Sequence, residues 1–326
     1  MKFSIILPVY NVEKYLPKIF YSLKNQSFTD FEALFIVDGS PDNSYNVLLD
    51  LVGNDERFKV YLKENTGVGE TRNYGMDRAT GNYICFLDPD DWVEFDLLEE
   101  VAKKTINNPE LIIWGCFFEY TSGKRKKTIY LNREHNLLSN NEFAHFIEKR
   151  YFHIIPNVVW NKAYSKSFLV ANNIRFCNQK SGQDALFNYH VYPVVNKISI
   201  INRPLTYYLM FREGSTSSSY NKERLKNIEI ILQKFYVMLE KWNLKSKKIR
   251  ISATVDFMYA YSYILIYSSS SYKTFLLERK KTCMFSTLSL YDFFIAFISL
   301  SMNFKVKLIL SIIPPLMYTL KFLRLR

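Results

Sequence analysis

Residues that bend or break a polypeptide are scarce in this chain, which has ten glycines and ten prolines among 326 residues. That scarcity excludes collagen-like, linker-rich and disordered compositions. The hydrophobic fraction is 48% and the aromatic fraction is 17%, which is ample for a core. The length allows one large domain with an appendage, or two modest domains.

Cysteine is also scarce. The chain has four widely separated cysteines, Cys85, Cys116, Cys177 and Cys283. Their spacing is not typical of a metal site, so we expect reduced thiols of a cytoplasmic protein, most of them buried. No secretory signal peptide is expected, because the charged Lys2 is followed at once by a short strand-like run that ends at Pro8.

Acidic residues are too few to balance the basic ones. The chain has 43 Lys and Arg against 31 Asp and Glu, a formal net charge of +12. Such an excess predicts an anionic partner, which could be nucleic acid, nucleotide phosphates or a lipid surface. Nucleic acid is not expected, because the basic residues at the end of the chain lie among apolar ones rather than along a stacking platform.

Residues 304–326 contain no acid, while five basic residues are spread among leucines and isoleucines. A basic amphipathic end is typical of an anchor on an anionic leaflet, which predicts a peripheral protein on the inner face of the cell membrane. A pair of helices that pack on the core, with lysines in water, is the alternative. Residues 285–302 are apolar but too short and too polar to predict a spanning helix.

Residues 1–100 alternate short apolar runs with segments of helical spacing. The predicted strands are 3–9, 31–37, 58–62 and 83–87, and the predicted helices are 12–26, 44–53 and 68–78. This alternation predicts a parallel sheet covered on both faces. Further along, we predict strands at 111–120 and near 128–131 and a helix at 140–150, with helices from 219 to the end.

Polar clusters follow three of the predicted strands: Tyr10-Asn11, Asp38-Gly39-Ser40 and Asp88-Pro89-Asp90-Asp91. Ligands bind beyond the carboxyl ends of parallel strands, so the clusters predict a site. The clustered carboxylates suit Mg²⁺ or Mn²⁺. Alternatively, Asp90 or Asp91 caps a helix that starts near Trp92, and the cluster at Asp38 is a plain turn.

The amino-acid sequences of these clusters, and their order along the chain, resemble those of the inverting family-2 glycosyltransferases of GT-A fold. The resemblance is carried by SIILPVYNVE at 4–13, VDGSPDNS at 37–44, ENTGVGETRN at 64–73 and FLDPDDW at 86–92. It is strong over 1–100, moderate over 155–217 and absent beyond. It implies an α/β fold, with a mixed, mostly parallel nucleotide-binding sheet flanked by helices and a helical C-terminal extension.

The resemblance also implies two domains. Residues 1–218 would be the GT-A catalytic domain, with the nucleotide-sugar half at 1–100 and the acceptor half at 101–218. Residues 219–326 would be a helical region with the membrane-associating tail.

A nucleotide-sugar site follows from the same resemblance. The Pro8-Val9-Tyr10 loop and Asp38 would hold the base, and Arg72 would lie near the diphosphate. Asp88 and Asp90 would bind Mg²⁺ or Mn²⁺, with Asp90 the more direct ligand and Asp88 nearer the ribose. The cation would stabilise negative charge as the nucleoside diphosphate departs.

An inverting transfer needs a base for the acceptor hydroxyl. Family members often carry a Glu-Asp pair after a Trp-Asn-Lys segment, and Trp160-Asn161-Lys162 is followed here by Gln183-Asp184. Asp184 matches the acid usually assigned as base, whereas Gln183 replaces the Glu. The alternative is that Asp184 caps a helix that begins near Ala185.

Other positions depart from the family or complete its site. Val37 replaces the first of two consecutive acids at the nucleobase turn, and Gly69-Glu70 replaces the usual small residues before Arg72. Arg212 and Ser215 would close over the diphosphate. The processive-synthase signature is missing, so we expect one sugar per binding event.

Together these features predict transfer of a sugar, with inversion, from a nucleotide-diphosphate sugar to a lipid-linked or cell-surface glycan. UDP is the expected carrier by family frequency only. The alternative is a catalytically degenerate scaffold that binds nucleotide sugar, which Gln183 and Val37 would favour. A dehydrogenase is disfavoured because no G-x-G-x-x-G follows a strand.

Overall fold

The computed structural model describes residues 2–120, 125–128, 135–150, 157–179, 181–210, 222–244 and 247–268. The chain divides into two compact units, Met1–Glu213 and Gly214–Arg326.

The first unit alternates strands with helices. Its strands are β1 (Phe3–Val9), β2 (Phe31–Asp38), β3 (Phe58–Lys63), β4 (Tyr83–Phe86), β5 (Trp92–Val93), β6 (Leu111–Tyr120), β7 (Arg125–Thr128), β8 (His135–Leu138), β9 (Lys162–Ser165) and β10 (Ile198–Met210). Its helices are α1 (Leu16–Lys24), α2 (Ser44–Val52), α3 (Val68–Arg78), α4 (Leu97–Lys104), α5 (Asn140–Arg150), α6 (Lys166–Ala171) and α7 (Gln183–Val191).

These strands form one sheet in the order β3-β2-β1-β4-β9-β6-β10-β5, with β7 beside β6 and β8 beside β10. β3, β2, β1 and β4 run parallel, as do β6 and β10. β9 is antiparallel to both β4 and β6, so it joins the two parallel groups. The sheet is therefore mixed, as predicted, and the group formed by β3, β2, β1 and β4 is entirely parallel.

Burial explains the central strands. Every residue of β1 and β2 is buried, as expected for parallel strands covered on both faces. α1 begins at Leu16 rather than at 12, because Pro17 occupies its first turn, where the missing N–H costs no hydrogen bond. The buried face of α1 packs on the sheet through Leu16, Ile19, Phe20 and Leu23.

Glu32 is a charged residue that is fully buried inside this half of the sheet. The Glu32 carboxylate in β2 accepts hydrogen bonds from the Ser4 hydroxyl at 2.6 Å, the Thr80 N–H at 2.6 Å and the Lys59 ammonium at 2.8 Å. These partners replace the water that the buried carboxylate loses. Glu32 thereby ties β1, β2, β3 and the turn before β4 together.

The second unit contains α8 (Lys222–Lys241) and α9 (Lys247–Ser268), which pack against each other. On α8 the buried apolar residues recur at helical spacing and form one face of the helix: Leu225, Ile228, Leu232, Phe235 and Leu239. Among the described helices, none is both long and apolar enough to cross a membrane. The predicted tail at 304–326 and Cys283 lie outside the described residues.

Candidate functional site

The three predicted polar clusters lie on one edge of the sheet. β1 pairs in parallel with β2 and with β4, so the residues after these strands are neighbours. The loop after β1 is bonded to the loop after β2, because the Asn11 N–H donates to the Ser40 hydroxyl at 2.8 Å. The Glu13 N–H donates to Asp42 at 2.9 Å, and the Asn43 N–H donates to the Glu13 carboxylate at 2.7 Å. Reciprocal bonds of this kind hold the rim of the site in one arrangement.

Asp38, predicted to hold the nucleobase, fastens the loop that leads into α3. Its side chain is about 5% exposed, and it accepts hydrogen bonds from the N–H groups of Thr66 and Gly67 at 2.9 Å each. Its carboxylate also pairs with the Lys63 ammonium. Gly39 beside it has φ of 59° and lies against the Asn65 backbone, where a Cβ would come within 2.8 Å of the Asn65 nitrogen.

The other predicted nucleobase residues differ in exposure. Pro8 and Val9 are buried within β1, and Tyr10 is half exposed just beyond it. Tyr10 is therefore the member of the Pro8-Val9-Tyr10 set whose ring is open to a ligand. Contact between the base and any of these residues, or Asp38, stays a prediction.

Arg72 brings two of the predicted acids together. Its side chain is 3% exposed, and its guanidinium donates to Asp88 at 2.8 Å and to Asp184. The guanidinium also lies over the Phe176 ring, 5.2 Å from the centroid. Arg72 is the fifth residue of α3, not in its first turn. Its charge offsets the repulsion between the two carboxylates, whose side chains are 27% and 23% exposed.

The acidic cluster after β4 divides into two kinds of residue. Asp91 is buried, and its carboxylate accepts the Leu209 N–H of β10 at 3.0 Å. Asp88 and Asp90 are each partly exposed. The alternative that Asp90 or Asp91 caps a helix near Trp92 is wrong, because Trp92 begins β5 and α4 begins at Leu97.

Asp88 and Asp90 fit the predicted cation by their chemistry. Both are hard oxygen donors with exposed surface, and Mg²⁺ is often held by one or two carboxylates together with substrate phosphates. Over the described ranges, no group of three or more His, Cys, Asp or Glu side chains could hold a metal by itself. Metal binding by Asp88 and Asp90 stays a prediction.

Asp184 is the second residue of α7, and Gly182, in a left-handed conformation, precedes the helix as its N-cap. The alternative that Asp184 caps this helix is therefore wrong. Burial raises the pKa of Asp184 above its ordinary value; Arg72 and Lys162 lower it, and the charge of Asp88 raises it. The role of Asp184 as the general base stays a prediction.

The positions of Arg72 and Asp184 depend on contacts that the sequence did not reveal. Asn73 and the Phe176 backbone exchange two hydrogen bonds. A Cβ on Gly69 would lie 2.6 Å from the Cys177 carbonyl oxygen, so α3 approaches residues 176–177 too closely for a larger side chain there. Phe176 in turn stacks on Phe187 of α7, with ring centroids 4.2 Å apart.

Arg212 and Ser215, predicted to close over the diphosphate, lie outside the described residues.

Comparison with known proteins agrees with this arrangement of motifs. Residues 4–169, half of the chain, match the family model of glycosyl transferase family 2. The chain therefore belongs to glycosyl transferase family 2, and the predicted family is confirmed. Glycosyltransferase is accordingly the enzyme class of its family.

Individual relatives differ in how much of the chain they share. Over 244 residues the chain is 30% identical to the poly(ribitol-phosphate) beta-N-acetylglucosaminyltransferase TarS of Staphylococcus aureus, covering 71% of this chain and 41% of TarS. Over 318 residues it is 25% identical to a GalNAc(5)-diNAcBac-PP-undecaprenol beta-1,3-glucosyltransferase of Campylobacter jejuni, covering 96% and 94%. The chain spans 60% of EpsH of Bacillus subtilis and 32% of GlyA of Streptococcus pneumoniae.

The fold is similar to that of a solved structure. A crystal structure of TarS residues 1–349 in complex with UDP-GlcNAc superposes with a TM-score of 0.61 at 23% identity, covering 81% of this chain and 83% of that one. The predicted GT-A fold is confirmed.

Proposed function

We propose that this protein transfers a sugar from a nucleotide-diphosphate sugar, with inversion, to a hydroxyl group of a lipid-linked or cell-surface glycan. The observation that carries the proposal is the bridge from Arg72 to Asp88 and Asp184. The bridge brings together the Asp88 carboxylate on the donor side, the Arg72 guanidinium and Asp184, the candidate base. All three lie at the edge where parallel sheets bind ligands.

The chemical step assigns one role to each group. The Asp184 carboxylate takes the proton of the acceptor hydroxyl as that oxygen bonds to the anomeric carbon. The bond from the anomeric carbon to the diphosphate breaks, and its electron pair leaves with the nucleoside diphosphate. Attack on the face opposite the leaving group inverts the configuration. The Arg72 guanidinium donates a hydrogen bond to each of the Asp184 and Asp88 carboxylates and so holds the candidate base and the donor-side acid at fixed positions.

Asp88 and Asp90 would hold Mg²⁺ or Mn²⁺, which when bound neutralises charge on the diphosphate. The described residues support this role by their exposure and their spacing after β4. The buried Arg72 guanidinium, which is paired with Asp88, would add positive charge near the diphosphate.

A UDP-sugar is the donor that we propose. The support is the complex of TarS with UDP-GlcNAc, at an identity that shows shared fold alone. The acceptor class is supported by the relatives, since the Campylobacter jejuni protein is named for an undecaprenol-linked glycan and TarS for poly(ribitol phosphate).

We also propose that the protein acts on the cytoplasmic face of the membrane. The support is the composition of residues 304–326, with basic residues among apolar ones and no acid. Sedimentation of the full chain with phosphatidylglycerol vesicles tests this, with phosphatidylcholine vesicles as the control. Equal sedimentation with both would contradict an electrostatic anchor, and no sedimentation with either would contradict membrane association.

The experiment that tests the function is calorimetric titration of the full chain with UDP and with UDP-GlcNAc, UDP-GalNAc, UDP-glucose and UDP-galactose, with and without Mn²⁺. Metal-dependent binding that prefers one sugar, followed by release of UDP from it when an undecaprenol-diphosphate-linked glycan is supplied as the acceptor, would support a transferase and identify its donor. Binding without any UDP release in the presence of that acceptor would favour the scaffold alternative. Absence of binding would contradict a UDP-sugar donor.

A further inference from the structure

A lysine is buried beside the proposed base. Lys162, the first residue of β9, is 1% exposed, and its ammonium donates to the Val158 carbonyl oxygen at 2.5 Å and to the Asn161 side-chain oxygen at 2.8 Å. Within the described part of the chain, no carboxylate lies within ion-pair distance of it. Burying an ammonium without a paired carboxylate costs several kcal/mol, and hydrogen bonds to two oxygens offset only part of that cost.

The Val158 carbonyl oxygen links this lysine to the helix that carries Asp184. It also accepts a hydrogen bond from the side-chain amide of Asn188 at 3.0 Å. Asn188 is fully buried on α7, four residues and therefore one helical turn after Asp184. On its other side, the Asn188 side-chain oxygen accepts the Tyr164 hydroxyl of β9 at 2.8 Å. The start of β9 thus determines where α7 lies.

The ionisable groups around this junction come from α3, α7, β6, β9 and the turn after β4. Asp184 is influenced by Arg72 of α3, by Asp88 after β4 and by Lys162 of β9. Lys162 is influenced by Asp184 of α7 and by the Cys116 thiol of β6. Burial lowers the pKa of Lys162 to about 7, while Asp184 and Cys116 raise it. The lysine therefore loses its charge within the range in which enzymes work.

We propose that Lys162 is a positioning residue for Asp184. Through its hydrogen bond to Val158, which also accepts from Asn188, it fixes the position of α7 relative to β9. Its positive charge also favours the carboxylate form of Asp184. The proposal rests on the proposed function, because it takes Asp184 as the base. Lys162 touches neither the sugar nor the diphosphate in this assignment. It acts on the reaction through the helix and through the electric field at Asp184.

The test compares the wild-type full chain with Lys162→Met, an unbranched side chain that is one atom shorter and carries no charge. Release of UDP from the UDP-sugar chosen by the titration, with an undecaprenol-diphosphate-linked glycan as the acceptor, is followed from about pH 5.5 to about pH 8.5. Without the nearby positive charge, the pKa of Asp184 rises and the acid limb of kcat moves to higher pH. We expect about tenfold slower turnover near pH 6 and a difference of about twofold near pH 8, where wild-type Lys162 has itself become neutral.

Two further variants separate positioning from folding. Tyr164→Phe removes a hydrogen bond at the same junction without removing a charge, so its acid limb should stay at the wild-type pH. Lys162→Gln retains a donor for Val158 and is the second variant if Lys162→Met does not fold. In each, the dissociation constant of UDP with Mn²⁺ should stay within about twofold of wild type.

An acid limb at the wild-type pH in a folded Lys162 variant would overturn the proposal, as would failure of both variants to fold, which would assign Lys162 to folding alone. Failure of the proposed function is a different result, because the wild-type chain would then release no UDP. The two failures are therefore distinguishable.

Discussion

Asn73 and Phe176 exchange two hydrogen bonds: the Asn73 amide donates to the Phe176 carbonyl oxygen, and the Phe176 N–H donates to the Asn73 side-chain oxygen, each at 2.9 Å. The two residues are 103 positions apart. This exchange binds α3, which carries Arg72, to the segment that leads into α7, which carries Asp184.

Replacing Asn73 should therefore destabilise the protein. Asn73→Ala leaves the buried N–H and carbonyl of Phe176 without their partner, which we expect to lower the free energy of unfolding by about 2–4 kcal/mol. Urea denaturation measures the change. Asn46→Ala, which removes an exposed contact with Asn43 at 2.7 Å, is the matched control and should change stability by less than about 0.5 kcal/mol. Equal effects of the two substitutions would contradict the role given to the exchange.

Asp184→Asn should keep donor binding and lose transfer. The amide cannot take the proton of the acceptor hydroxyl, so we expect kcat to fall by about 10²–10⁴-fold. Calorimetry should give a dissociation constant for UDP close to that of wild type. The control is Asp77→Asn, at an exposed carboxylate paired with Arg175 at 2.7 Å, which should keep kcat. Normal turnover by Asp184→Asn would show that the base is another residue.

Asp90→Asn and Asp91→Asn should affect different properties of the protein, the first its metal-dependent binding of UDP and the second its stability. Asp90→Asn should abolish the gain in UDP affinity that Mn²⁺ provides, because an amide oxygen is a weaker metal ligand than a carboxylate. Asp91→Asn weakens the contact with the Leu209 N–H, so it should lower the melting temperature and keep the gain from Mn²⁺. Titration of UDP with and without Mn²⁺, together with thermal melts, distinguishes the two. A metal-dependent affinity that survives in Asp90→Asn would remove Asp90 from the metal site.

Glu32 should make the stability depend on pH. Burial alone would raise the pKa of Glu32, but hydrogen bonds from Lys59, Ser4 and Thr80 outweigh it and lower the pKa from 4.5 to about 2. The stabilisation is present above the unfolded value of 4.5 and is lost as the pH falls from there through 2, a change on the order of 3 kcal/mol.

Urea denaturation between pH 7 and about pH 2.5 measures this loss. Glu32→Gln should be less stable at pH 7 and should show a flatter decline toward acid. Glu56→Gln, at an exposed position, should follow the wild-type curve. A Glu32→Gln curve parallel to that of wild type would show that the carboxylate has no part in acid unfolding.

Local pattern was sufficient for some elements. The predicted bounds of β1 and α3 agree with the structure. For β1 the reason is a continuous apolar run, which is a local property of the sequence. The family resemblance predicts Asp88, Arg72 and Asp184 as residues of one site, and the structure brings these three side chains together. The structure adds that Arg72 bonds to both acids, which no pattern indicated.

The wrong interpretations concern acids whose partners are far away in the chain. The sequence allows Asp91 to be interpreted as a helix cap, but its carboxylate accepts a hydrogen bond from the Leu209 N–H, 118 residues later in the chain. A propensity describes neighbours in sequence and cannot reveal such a partner. Lys162 is likewise buried, at 1% exposure, although no feature of the Trp160-Asn161-Lys162 segment predicts this.

The antiparallel β9 has a consequence for how this protein can be divided. Without its four residues, the outer side of β4 would offer free N–H and carbonyl groups along a buried, apolar strand. Open strands of that kind invite pairing with other chains. A fragment ending near residue 100 would therefore aggregate although it contains the whole parallel group, and co-expression with the remainder of the first unit would be needed to keep it dispersed.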